Sequence, residues 1–215
     1  MFALSPGLGR DRPLRLLCLG AHADDIEIGA GGTVLRLLRE RPRTEVTLAV
    51  VTGDAERQAE ARASAEVLLA GAASRELHLP GFEDGYLPAQ AHDLKRWAQT
   101  TLGGLQPDVV LTHRLDDAHQ DHRALAALAW QTWRGATIAH YEIPKWDGDL
   151  GRPNVYVTLD DELLQAKLDL LDTQFAGQRR KGWYDEETFR GLARVRGVEA
   201  GARYAEAFEC TKMVW

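Results

Sequence analysis

Two short strings hold the residues of this chain best suited to chemistry: Ala21-His22-Ala23-Asp24-Asp25 and His119-Gln120-Asp121-His122. A catalytic divalent ion typically takes three protein ligands and keeps a fourth position for water. His22 and Asp25, three residues apart in a tight turn, can converge on one ion, and His122 can complete the set. Asp24 is then free to take the water's proton, and His119 to donate towards a developing oxyanion. Asp121 could hold His119 protonated and oriented, a common role for carboxylates around metal sites. Alone, either string reads as a helix cap or a solvated loop. Three prospective ligands, a spare carboxylate and a spare imidazole at two strand ends argue instead for a metal-dependent hydrolase.

The elements must bring the two strings together. Arg15 to Gly20 reads as a first strand, Gly29 to Arg39 as a helix, and Glu45 to Thr52 as a second strand, nearly all β-branched or apolar. Glu56 to Ala70 is helical, Glu76 to Leu79 a short strand, and His92 to Leu102 an amphipathic helix. Pro107 to Thr112 is a fourth strand, Asp121 to Trp133 a helix and Thr137 to Ile143 a fifth strand. This rotation implies a single-domain, Rossmann-like α/β fold with a mostly parallel sheet and helices on both faces. In the order 3-2-1-4-5, the first and fourth strands are neighbours where the winding reverses. Ligand crevices form there, outside the carboxyl ends of the strands. The two strings would then sit side by side.

After Ile143 the rhythm breaks. Residues 144–153 form a loop with Gly, Asp and Trp, 154–159 a strand and 160–173 a helix. Residues 177–182 form a basic loop, 186–195 a helix and 204–210 a last strand. No repeat or linker divides the chain, so one domain spans 1–215, with 1–13 a loose extension.

Composition narrows the classes. The chain has 215 residues, 45% of them apolar and 27% charged, which suits one folded domain. A net charge of −6 argues against a nucleic-acid partner. No run approaches the roughly 18 apolar residues of a membrane span, and the start lacks the apolar stretch of a signal peptide. Cys18 and Cys210 read as core cysteines of a reducing compartment, so the expected location is cytoplasmic. Gly29-Ala30-Gly31-Gly32 is no dinucleotide fingerprint, because Val34 stands where the third Gly belongs. Close helix packing explains these glycines better. His113 is expected in the core or behind the site, and His78, His92 and His140 in structural roles.

The two strings resemble the Ala-His-Pro-Asp-Asp and His-Pro-Asp-His motifs of the PIG-L/LmbE family of zinc-dependent de-N-acetylases. Thr52-Gly53-Asp54 is similar to the family's Thr-x-Gly-Glu, and Arg62 with Glu66 to its Arg-x-x-x-Glu helix. Asp84-Gly85 falls where the family carries a substrate-binding Asp, and Tyr204 to Phe208 is similar to its closing strand. Ala23 and Gln120 replace prolines, Asp54 is shorter than the usual Glu, and Ile26 stands for a frequent acidic residue. The resemblance implies Zn(2+) on His22, Asp25 and His122, with Fe(2+) as another divalent possibility. It also implies Asp24 as general base, His119 as oxyanion stabiliser, and Arg62 and Asp84 as sugar-hydroxyl contacts. The implied partner is a small-molecule N-acetyl sugar or glycoconjugate, deacetylated by metal-water attack on the amide.

Two other classes stay open at this level. Two histidines and a carboxylate also describe a non-haem iron site, and a relative could bind sugars without turning them over. The loops 144–153 and 175–184, rich in Trp, Tyr, Arg and Lys, are candidates to hold the aglycone. Arg179, Arg180 and Lys181 could meet a phosphate or simply be solvated. A homo-oligomer is equally open.

Overall fold

Buried apolar runs alternate with helices along the whole chain in the computed structural model, which describes residues 12–212. The strands are β1 (Arg15–Gly20), β2 (Glu45–Val50), β3 (Ser74–His78), β4 (Val109–His113), β5 (Thr137–Tyr141), β6 (Val155–Leu159) and β7 (Tyr204–Cys210). The helices are α1 (Asp25–Glu40), α2 (Ala55–Leu68), α3 (Ala91–Trp97), α4 (Gln120–Thr132), α5 (Asp161–Gln174) and α6 (Glu186–Ala200). One sheet runs β3-β2-β1-β4-β5-β7-β6. Its first five strands are parallel, while β7 pairs antiparallel with both β5 and β6. The expected 3-2-1-4-5 order is present, and the late strands add an antiparallel edge.

β1 is the hinge of this arrangement, hydrogen-bonded to β2 on one side and β4 on the other. Leu16, Cys18, Val46, Leu48 and Leu111 point into a core shared with α1, α2 and α5 on one face. Leu17, Leu19, Val110 and Ile138 point to the other face, under α3 and α4. Period-two alternation along parallel strands covered on both faces produces such a pair of cores.

Several boundaries differ from expectation, each for a physical reason. Helix α1 starts at Asp25, not Gly29: glycine lowers helix propensity, but here it permits contact. A Cβ on Gly29 would run into the Tyr141 ring, and one on Gly32 would come within 2.6 Å of Leu159. The packing explanation for these glycines therefore holds. The helix is also gripped from outside. Glu206 accepts the Gly32 and Thr33 amides at 2.9 and 2.6 Å, and Lys167 Nζ binds both Glu206 and the Ile28 carbonyl. Residues 176–180, expected as loop, make one 3₁₀ turn, and α6 runs five residues past the expected Val195, to Ala200. Most of the expected extension 1–13 lies outside the described residues, although Arg12 pairs with Asp108 at 2.6 Å. Cys18 and Cys210 are buried free thiols. Among the described residues, no helix is long and apolar enough to cross a membrane.

Candidate metal centre

Both strings emerge at the carboxyl ends of β1 and β4, the neighbouring strands at the point of reversed winding. After β1 the chain turns at once into α1, so His22 lies on the turn, Asp24 at the helix N-cap and Asp25 in its first turn. The turn is closed by the His22 amide, which donates to Asp25 Oδ2 at 2.7 Å. After β4 a short loop leads to His119, the N-cap of α4, and His122 lies in that helix's first turn.

The result is one tight donor set. His22 Nδ1 stands 3.2 Å from Asp25 Oδ2 and 3.2 Å from His122 Nε2, and His122 Nε2 stands 3.6 Å from Asp25 Oδ2. Carboxylates occupy the outer ring nitrogens. His22 Nε2 lies 3.0 Å from Asp84 Oδ1 and 3.5 Å from Asp121 Oδ2, and His122 Nδ1 lies 3.0 Å from Asp117 Oδ2. A neutral histidine whose outer nitrogen carries the proton presents a lone pair at the inner one. In that tautomer two lone pairs and a carboxylate oxygen converge 3.2 to 3.6 Å apart, a donor set that a cation between them would satisfy. For metal–ligand bonds of about 2.0–2.1 Å, a tetrahedral ion needs donors about 3.3 Å apart. The residues present fit such an ion.

Two further histidines crowd the same place. His22, His119 and His122 could also form a donor group, as could Asp25, His113 and His122. Hydrogen bonding separates them from the inner set. His119 Nδ1 already accepts the Asp121 amide at 3.2 Å, and His113 Nε2 accepts the Ala21 amide at 3.0 Å. His113 is fully buried and stacks on His122, ring centroids 3.8 Å apart. Burial, then the charge of His122, lowers its basicity to about 4, so it is a neutral wall behind the donor set.

Electrostatics differ sharply among neighbouring carboxyls. Burial works against ionisation of Asp25, but His122, His113 and His22 together hold it well below the usual carboxylate range. Asp24 goes the other way: burial and the Asp25 charge raise it, against the pull of Arg57 and Lys181. Burial also opposes charge on His22, yet Asp25, Asp121 and Asp84 raise its basicity well above normal. His119 is shifted down by burial and by its histidine neighbours, so it is neutral near pH 7. With Nδ1 accepting a backbone N–H, its proton sits on Nε2, ready to donate.

The expected site residues divide on inspection. His22, Asp24, Asp25, His119, His122 and Asp84 share one crevice; Asp84 is two-thirds exposed and reaches His22. Asp121 is at the site but does not orient His119 through its carboxylate. Its two oxygens accept the Gly85 and Leu87 amides at 2.6 and 3.0 Å, and its own amide is what fixes His119. Arg62 is not at the site at all. It is exposed and makes no ion pair among the described residues, and Glu66, its expected partner, pairs with Arg75. The arginine that does reach the crevice is Arg57, whose Nη2 donates to Asp24 Oδ1 at 2.9 Å. Asp54 caps α2 by accepting the Arg57 amide, which places Arg57 in the turn nearest the sheet edge. Arg62, five residues on, lies about 140° around the helix. Asp117 was also not foreseen: a second carboxylate two residues before His119 is the signal that could have found it.

A family profile described as PIG-L, GlcNAc-PI de-N-acetylase, matches residues 17–133. Among solved structures, the N,N'-diacetylchitobiose deacetylase of Pyrococcus horikoshii is 24% identical, with 92% of this chain and 83% of that one covered at a TM-score of 0.68. A conserved protein of Thermus thermophilus is 25% identical over 94% of this chain and 96% of its own, TM-score 0.69. The 4-carboxy-2-hydroxymuconate hydratase of Pseudomonas putida is 20% identical over 94% and 98%, TM-score 0.75. The same fold therefore carries more than one chemistry, and the activity must be argued from the crevice.

Proposed function

The chain belongs to the PIG-L family of de-N-acetylases, which are amide hydrolases, and from that premise we propose that it removes the acetyl group of an N-acetylglucosamine-type sugar or conjugate. His22, Asp25 and His122 would hold a zinc ion. One observation supports this above all: the inner nitrogens of His22 and His122 face each other at 3.2 Å while carboxylates stand at their outer nitrogens.

An ion bound there would acidify a water molecule and polarise the acetamide carbonyl. The remaining steps belong to the chain's own side chains. Asp24, raised above the ordinary carboxylate range by burial and by Asp25, takes a proton from the attacking water and returns it to the departing nitrogen. His119 donates its Nε2 proton in a hydrogen bond to the carbonyl oxygen as negative charge gathers there. Arg57 keeps Asp24 in place, and Arg57 and Asp84 would meet the hydroxyls of the bound sugar. Asp117 holds His122 in the tautomer that binds an ion. An iron-dependent oxidation has no support from the family, and the intact acid–base pair Asp24 and His119 does not suit a mere binding protein.

The decisive experiment combines metal analysis with an amine-release assay on N-acetylglucosamine conjugates. Parent protein should hold about one zinc per chain, and His22→Ala, Asp25→Ala and His122→Ala should each lose it. Asp24→Asn should keep the metal and lose several orders of magnitude in kcat, and His119→Ala about 10²–10³. Near-normal turnover by Asp24→Asn removes it as the base, and oxygen-dependent turnover would bring the iron reading back.

A further inference from the structure

Two surface loops meet beside the catalytic groups. Lys145, on the loop after β5, is pinned: its Nζ lies 2.8 Å from both carboxylate oxygens of Asp149 and 3.2 Å from Asp117 Oδ1. Asp149 in turn accepts the Ala118 amide at 2.7 Å, and Arg114 donates to its carbonyl. The loop is thus fastened to the segment that carries His119. Its next residue, Trp146, is nonetheless 72% exposed.

The Trp146 ring meets that of Trp183 edge-on, centroids 6.3 Å apart. Trp183 belongs to the second loop, where Lys181 Nζ lies 5.5 Å over the same indole. This loop flanks the chemistry from the α2 side. Gly177 lies against Glu60, Glu60 pairs with Arg57, and Arg57 holds Asp24. Its three basic residues are not equivalent. Arg179 is taken by Asp172, and Arg180 by the Gly177 carbonyl. Lys181 makes no ion pair among the described residues, although its charge acts on Asp24 across the crevice.

A large indole left mostly in water on an anchored loop gains little from folding. Beside a second indole and an unpaired ammonium, it makes an amphipathic shelf of the kind that stacks rings and holds anions. We propose that Trp146, Trp183 and Lys181 form a subsite for the part of the substrate beyond the acetylated sugar, and that this part carries a flat or apolar ring face and an anionic group. The anion is a carboxylate or a phosphate, which the ammonium meets as a point charge. This rests on the deacetylase reading and adds to it the class of aglycone.

The test uses the zinc-loaded full chain and four N-acetylglucosaminides: methyl, phenyl, 4-carboxyphenyl and 4-phosphonooxyphenyl. In the parent, kcat/KM should rise about five- to tenfold from methyl to phenyl through stacking. It should rise about threefold more with either anion, less so in high salt. Trp146→Ala should collapse the phenyl-to-methyl ratio towards one, and Lys181→Gln only the anion-to-phenyl ratio. The relative size of the carboxylate and phosphate gains distinguishes the two anions. Ratios that stay at parental values in both variants overturn the subsite, even if Trp146→Ala lowers the melting temperature. Should no glycoside be turned over, binding of the same compounds is read by tryptophan fluorescence. Binding lost in Trp146→Ala then keeps the subsite and removes the deacetylase reading, and absence of binding removes both.

Discussion

Arg57 and Arg62 show how much one turn of helix decides. Both sit on α2, but only Arg57 lies in the capped first turn at the sheet edge, bridging Asp24 and Glu60 and resting over the Phe175 ring. Losing it would free Asp24 to move and remove a donor from the crevice, so positioning and binding fail together. Arg57→Ala is expected to cut kcat/KM for N-acetylglucosamine conjugates by about 10²-fold, roughly 3 kcal/mol, with zinc retained. Arg62→Ala should match the parent in rate and stability, since an exposed side chain with no ion pair or hydrogen bond among the described residues has little to lose. Steady-state kinetics on the two variants decide between them, and a defect in Arg62→Ala would return it to the site. The cluster of candidate donors was legible in the sequence because each string packs its histidines and carboxylates within five residues of one another, following a strand. What hid was direction: the sequence does not show which nitrogen of His119 an amide reaches, or that the Asp121 carboxylate turns towards Gly85 and Leu87.

At the level of elements, the loop between β4 and α4 carries more than its two histidines. Asp117 is nearly fully buried, touches His122 Nδ1, accepts the His119 amide at 2.8 Å and is met by Lys145. Burial opposes its charge, but His122, the His119 amide and Lys145 hold it far below the usual carboxylate range. It therefore stays ionised at any working pH, an acceptor 3.0 Å from the outer nitrogen of His122. Asp117→Asn should weaken zinc binding about 10–100-fold. Excess zinc should restore most of the activity, which competition with a chromophoric chelator would show. A fall in kcat that zinc does not correct would mean that Asp117 acts on His119 instead. The strand–helix rotation was readable because doubly covered parallel strands are almost wholly apolar. The start of α1 was not, since its glycines serve contacts with Tyr141 and Leu159 that sequence cannot foresee. The insertion of β7 between β5 and β6 escaped for a similar reason, being a long-range pairing without local signature.

For the molecule as a whole, stability should depend on pH through a group behind the site. Glu27 is buried on α1 with a hydrogen bond from Ser64, and burial pushes it up to about 8 from an ordinary 4.5. Its folded form thus holds a proton that the unfolded chain releases. The sign follows from linkage: this contribution is complete below about 4.5, declines as pH rises and is gone above about 8. In metal-free protein, the urea midpoint should fall between about pH 6 and pH 9, and Glu27→Gln should flatten that fall. An unchanged slope in Glu27→Gln would assign the pH dependence to other groups.

His22 and His122 are one hundred positions apart, yet their inner nitrogens nearly touch because β1 and β4 are adjacent. An ion shared between them would tie the chain into a closed loop, as a cystine does. A covalent tie of that length restricts the unfolded ensemble by about 4–5 kcal/mol, and a reversible one acts in proportion to how firmly it is held. The melting temperature should accordingly climb with free zinc and drop on chelation in the parent, and do neither in His122→Ala. Inside a cell, ligand variants would then be scarce as well as inert. Their missing activity would need to be divided by the amount of folded protein before any of it is credited to chemistry.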